Sequence, residues 1–205
     1  MIRITLFDYG AGNLHSLGKA FTREDREVRV EPDPVRALET DLLVLPGVGA
    51  FGPAAARLAP GREAMRSAIL DGLPTIGICL GMQLMMDASD EGEGAGLGVI
   101  AGRVTKLSAA RLPQIGWNSI DEATDPVFAS SGFTTAYYAN SFVCRPTDTS
   151  VITAWSQHEQ DRFPAAVRVA RCVGLQCHPE KSSAPGLRLL DALVTDLLRP
   201  LRPLR

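Results

Sequence analysis

The feature that most constrains the fold is a set of short apolar runs, Ile2–Phe7, Asp41–Leu45 and Thr75–Ile78, each bounded by turn residues. Short apolar runs between turn residues suit strands buried on both faces of a parallel sheet. Between them the spacing turns helical. Leu14, Leu17 and Phe21 recur at helical intervals after a possible Asn13 cap, and Met65, Ala68 and Ile69 do the same before Gly72, a C-terminal stop. This alternation, with right-handed crossovers, predicts an α/β three-layer sandwich around a mostly parallel central sheet. Ligand sites in such folds form in loops beyond the carboxyl ends of the strands.

After Gly98 the texture becomes β-rich, with runs at Val99–Leu107, Phe133–Ala139, Val151–Trp155, Ala166–Ala170 and Val173–Cys177. They read as a small antiparallel extension plus strands returning to the core. A last helix is expected from near Pro185 to Pro200, with Leu187, Leu190, Val194 and Leu197 on one stripe. Asp87–Gly98 reads as a loop, Arg199–Arg205 as a basic tail, Arg23–Glu27 as a solvated helix end and turn, and Trp155 as a core residue. No repeat or interdomain linker is evident, so residues 1–205 read as a single domain.

Composition narrows the function. A net charge of -2 offers no broad positive field for nucleic acid or an anionic membrane, so small molecules and proteins are the expected partners. Arg, Asp or Glu interrupts every apolar stretch before the roughly 18 residues a membrane helix needs. Asp8-Tyr9-Gly10 follows Met1–Phe7 at once, without a cleavage site. A cytoplasmic protein is expected. Cys79, Cys144, Cys172 and Cys177 are irregularly spaced and only three histidines accompany them, which favours reduced thiols over disulfides or a metal cluster.

Gly77-Ile78-Cys79-Leu80-Gly81 follows an apolar strand and precedes the helix-forming Met82–Met86, the setting of a nucleophile elbow. The flanking glycines spare the turn two Cβ clashes, and a helix N-terminus favours the thiolate. Cys79 alone would equally suit a buried core thiol. Partners come from Gly174-Leu175-Gln176-Cys177-His178-Pro179-Glu180. Pro179 biases His178 toward extended backbone, where residues i and i+2 project to one side, so Glu180 can hold one ring nitrogen while the other takes a proton. Nothing in the spacing says that His178 meets Cys79. Pro46-Gly47-Val48-Gly49-Ala50-Phe51-Gly52 can bring backbone N–H groups, together with that of Leu80, close to a ligand as an oxyanion hole. Phosphate binding is disfavoured, since no Gly-Lys-Ser/Thr follows.

Taken in order, Pro46–Phe51, Gly77–Gln83 and His178–Ser182 resemble the class I (triad) glutamine amidotransferases, from about Ile4 to Leu198. The resemblance implies a flavodoxin-like core, Cys79, His178 and Glu180 as the triad, and oxyanion donors from Val48, Gly49 and Leu80. It also implies that Gln83 and Glu91 bind glutamine's backbone groups, with Ser141 and Phe142 completing the pocket through their main chain. Tyr9–Asn13, Gly116-Trp117-Asn118 and Lys181-Ser182 are similar to family members that hydrolyse L-glutamine and feed ammonia to a (β/α)8-barrel cyclase in histidine biosynthesis, as a heterodimer. They set the chain apart from members serving pyridoxal phosphate synthesis or nucleotide amidation, as the intact triad does from a non-catalytic scaffold. Asn13, Trp117 and Lys181 would then face the partner, and no organic cofactor or metal is implied. The chain departs from the resemblance at Asn140, Phe142 and Cys177, where histidine, tyrosine and phenylalanine are more usual.

Overall fold

A computed structural model describes residues 1–10 and 14–200. Asn13, expected both as a helix cap and as a partner-facing residue, lies outside the described residues, as do residues 201–205 of the basic tail.

The apolar runs form the heart of one sheet. β1 (Ile2–Phe7) leads through α1 (Leu14–Phe21) to β2 (Arg26–Glu31). β3 (Leu42–Leu45) leads through α2 (Phe51–Leu58) and α3 (Arg62–Leu70) to β4 (Thr75–Ile78). Next come a single-turn helix α4 (Leu80–Gln83) and the short β5 (Ala88–Ser89), then β6 (Gly102–Lys106) and β7 (Gln114–Ser119). α5 (Pro126–Ser131), β8 (Thr135–Asn140) and β9 (Phe142–Pro146) follow. β10 (Ile152–His158), β11 (Asp161–Val169) and β12 (Cys172–Leu175) return to the core ahead of α6 (Ser183–Leu197).

Among the described residues the main sheet has the order β10-β11-β12-β4-β3-β1-β2. From β12 to β2 the pairing is parallel, while β10 and β11 join antiparallel at one edge. A sheet β5-β6-β9 and a ribbon β7-β8 stand apart. Every residue of β3, β4 and β12 is buried, as unbroken apolar runs require. Leu42 and Val44 share a core with Leu17 and Phe21 of α1 and Leu190 and Leu193 of α6, whereas Leu43 and Leu45 share another with Phe51 and Leu58 of α2 and Met65 of α3. Alternation along one strand therefore feeds two helical layers.

Some expectations need correction. Arg26 and Glu27 open β2, an edge strand in register with β1 from Ile2↔Arg26 to Phe7↔Glu31, rather than a solvated turn. The charges mask it because an edge strand can carry them: Arg26 turns inward to Asp191 at 2.8 Å. The buried stripe of α6 runs through Leu189, Leu190, Leu193, Val194 and Leu197, leaving Leu187 exposed at its rim. Trp155 is only half-buried, because its ring lies at the sheet edge with the Arg162 guanidinium 4.2 Å from its centroid. Met82–Met86 does not extend α4 past one turn. The carbonyls of Leu84, Met85 and Met86, which a longer helix would use, instead accept from Leu97, Ile100 and Gly98 at 2.7, 3.0 and 3.1 Å. Asp87–Gly98 is thereby tied back to the chain just after α4, with β5 inside it.

Candidate active site

β4 and β12 pair in parallel with Leu175 opposite Ile78, so Cys79 and Gln176 are the first residues past neighbouring strand ends. The Cys79 N–H extends the ladder by donating to Leu175 at 2.7 Å. Cys79 then turns the chain at φ 46° and ψ -102°, a conformation that side chains rarely adopt, and α4 begins at the next residue. Such a turn demands small neighbours: a Cβ on Gly81 would lie 2.0 Å from the Leu45 carbonyl oxygen. The elbow is therefore clamped against β3, holding Cys79 in place at 6% exposure.

The His178 segment reaches this elbow from the next strand along. His178 donates its N–H to the Tyr137 carbonyl at 2.8 Å, Ser182 Oγ donates to the His178 carbonyl at 2.6 Å, and the Tyr137 N–H donates to Ser182 Oγ at 2.9 Å. β8 thus grips the backbone on both sides of the imidazole. Glu180 Oε1 lies 2.8 Å from Nδ1, with the two side chains 4% and 1% exposed, so Nε2 is the nitrogen left for Cys79. Burial alone would lower the His178 pKa. Hydrogen bonds to Cys79 and Glu180 outweigh it and raise the pKa from 6.5 to about 9, a base that holds its proton beside the sulfur. The other thiols differ. Burial pushes Cys144, Cys172 and Cys177 up, Cys172 to about 12, which keeps them neutral and unreactive.

A cavity of about 290 Å³, near the lower end for small-molecule sites, opens over the sulfur. Its walls include Gly47, Val48, Gly49, Cys79, Leu80 and His178 on one side and Gln83, Glu91, Ser141 and Phe142 on the other. Gly47 is required by contact, since a Cβ there would lie 3.0 Å from His178 Cε1 and 2.9 Å from Ile78 Cγ2. Tyr9 Oη donates to the Pro46 carbonyl and so ties the start of this glycine loop to the end of β1. Gln83 Nε2 and Asn140 Nδ2 both donate to the Phe142 carbonyl, at 3.0 and 3.1 Å. Glu91 Oε2 accepts from Phe51 N–H, the first donor of α2, at 2.9 Å. Lys181 is exposed at the cavity mouth, and Trp117 lies outside the cavity on the β7-β8 ribbon.

Every expected catalytic, oxyanion and substrate residue except Glu180 lines that one cavity, and Glu180 stands directly behind His178. Residues 5–195 match the family profile described as class-I glutamine amidotransferase. The chain belongs to the class-I glutamine amidotransferase family. Its relatives include the imidazole glycerol phosphate synthase subunit HisH of Symbiobacterium thermophilum, 41% identical over 97% of each chain. The protein of the same name from Corynebacterium diphtheriae is 38% identical over 93% of this chain and 97% of its own. Among solved structures, one described as a glutamine amidotransferase is 17% identical over 93% of this chain and 98% of that one, with a TM-score of 0.71. The Thermotoga maritima PurLQS structure is 18% identical over 96% of this chain and 100% of that one, at 0.70. These structures support the α/β amidotransferase fold with its mostly parallel sheet.

Within this amidotransferase site the residues that sequence reasoning passed over are Tyr9, Gln176, Pro113 and Ala139. Gln176 could have been noticed as the polar residue that directly follows the apolar run Cys172–Leu175, two positions before His178. Tyr9 could not, because its reach to Pro46 crosses from one strand end to another.

Proposed function

We propose that the chain is the glutaminase subunit of an imidazole glycerol phosphate synthase. It hydrolyses L-glutamine to glutamate and ammonia. The ammonia goes to a (β/α)8-barrel cyclase subunit that makes imidazole glycerol phosphate and an aminoimidazole carboxamide ribotide in histidine biosynthesis. The full-length relatives named HisH support the pathway. The observation that carries the chemistry is the Cys79 elbow opening into one cavity with His178, whose far nitrogen is held by Glu180 at 2.8 Å.

In this reading the Cys79 thiolate adds to the side-chain carbonyl carbon of glutamine, and the electron pair moves to oxygen beside Val48, Gly49 and Leu80. The imidazolium of His178 gives its proton to the amide nitrogen. The C–N bond breaks, ammonia leaves, and a γ-glutamyl thioester remains. Water, losing its proton to His178, then splits the thioester and regenerates the thiolate. Gln83, Glu91, Ser141 and Phe142 hold the glutamine, and no organic cofactor or metal enters these steps.

The cyclase would dock on the ribbon. Ile115 and Trp117 of β7 are 67% and 55% exposed on one face, and Trp117 meets Tyr137 edge-on at 6.4 Å between ring centroids. Tyr137 is the residue whose backbone grips His178, and exposed Lys181 sits beside the same segment. Contact and chemistry are therefore neighbours. With the cyclase, Cys79→Ala should abolish glutamine-dependent synthesis and leave ammonia-dependent synthesis near its original rate. Glutamine hydrolysis at the wild-type rate in Cys79→Ala would overturn the assignment.

A further inference from the structure

Resting on Cys79 as the nucleophile, we propose that Gln176 is a further catalytic residue, whose side-chain amide donates a hydrogen bond to the Cys79 sulfur and supports it as a thiolate. Gln176 Nε2 lies 3.5 Å from Sγ, within hydrogen-bond reach of sulfur. The contact follows from the sheet. Leu175 pairs with Ile78, so residues 176 and 79 emerge side by side from the ends of neighbouring strands. One segment thus brings the Gln176 amide to the sulfur and, two residues on, the His178 imidazole to the sulfur's cavity.

Burial argues that this amide is kept for chemistry. Gln176 is 0% exposed, and its Oε1 has no hydrogen-bond partner among the described residues. A buried amide with one end unsatisfied costs stability, and an apolar side chain of the same length would serve a purely structural role better. Nitrogen is the end that is satisfied, and its partner is the reacting atom. A thiolate at 6% exposure has little water to solvate it and needs such donors.

In the acylation step the sulfur lone pair forms the C–S bond, and the amide loses a charged acceptor. When water splits the thioester, the C–S bond breaks, the pair returns to sulfur, and the Gln176 N–H is again in place to receive it. Gln176 gains and loses no atoms. The other titratable groups acting on the sulfur are His178, Tyr9, Cys144 and Cys177, with Glu180 behind the imidazole. Tyr9, Cys144 and Cys177 are kept neutral by burial.

The test is the pH profile of iodoacetamide alkylation in the complete complex with its cyclase, with the labelled residue located by peptide mapping. Gln176→Met keeps length and removes the donor. Half-maximal labelling of Cys79 should move up by about one to two pH units, and glutamine kcat/KM should fall about 10- to 100-fold, the range of one hydrogen bond to a charged group. Gln176→Glu should move the profile further still, since a carboxylate would face the thiolate. A folded Gln176→Met complex whose Cys79 labels with the wild-type profile overturns this proposal and leaves the nucleophile assignment standing. Labelling that avoids Cys79 in the wild-type complex overturns both.

Discussion

Replacing Glu180 with Gln removes a charge while keeping an oxygen where Nδ1 needs its acceptor, so it separates the electrostatic role of Glu180 from ring orientation. The His178 pKa stands at about 9 against an ordinary 6.5, net of the burial that pulls it down. At 1.36 kcal/mol per unit that net gain is on the order of 3 kcal/mol, supplied by Cys79 and Glu180 together. His178 is 1% exposed, so solvent screens little of it. Loss of the carboxylate's share, about 1.5 to 3 kcal/mol for a charged hydrogen bond, should lower glutaminase kcat/KM about 10- to 100-fold. Stability should respond with a definite sign. Because folding raises this pKa, its contribution is full below pH 6.5 and is lost as pH rises through about 9. Wild type should therefore lose melting temperature across that window, and Glu180→Gln should begin lower and lose less. The assays are steady-state glutaminase activity with the cyclase bound and melting curves from pH 6 to 10. Unchanged kcat/KM together with an unchanged pH slope of stability would refute the argument that Glu180 acts through its charge.

Other consequences are simpler to read. Gly81→Ala drives a Cβ to 2.0 Å from the Leu45 carbonyl oxygen and should cost about 3 kcal/mol or more, visible as a melting temperature lower by about 5–10 °C. Tyr9→Phe leaves the buried Pro46 carbonyl without its donor; it should cost about 1–3 kcal/mol and speed hydrogen exchange at Gly47 and Gly49. Trp117→Ala should weaken cyclase binding about 10-fold or more without changing the melting temperature, which titration calorimetry would measure. Lys181→Ala should reduce the stimulation of glutaminase by the cyclase and its nucleotide. Unchanged stimulation would remove Lys181 from the coupling.

Much of this protein can be read along one dimension. β3 and β4 announce themselves because strands covered on both faces have no polar alternation to confuse the pattern, and the elbow does so because Gly77 and Gly81 flank Cys79 where a Cβ would clash. The pairing of His178 with Glu180 is equally local, but a 3-10 turn over Pro179–Lys181 makes it at 2.8 Å rather than the extended backbone that the sequence suggests. β2 and the end of α4 are not local. Arg26 belongs to a strand only because β1 offers its edge and Asp191 of α6 neutralises the charge, and α4 stops because Leu97, Gly98 and Ile100 take up the carbonyls it would have used. The meeting of Cys79 with His178 is the largest such case, since 99 positions separate them and no propensity spans that distance. It is decided by strand order: β12 lies beside β4 in parallel register, so both segments leave the sheet at the same end and at the same height. The same register brings Gln176 to the sulfur, a contact that hydrophobic pattern does not reveal because the residue is polar and wholly buried.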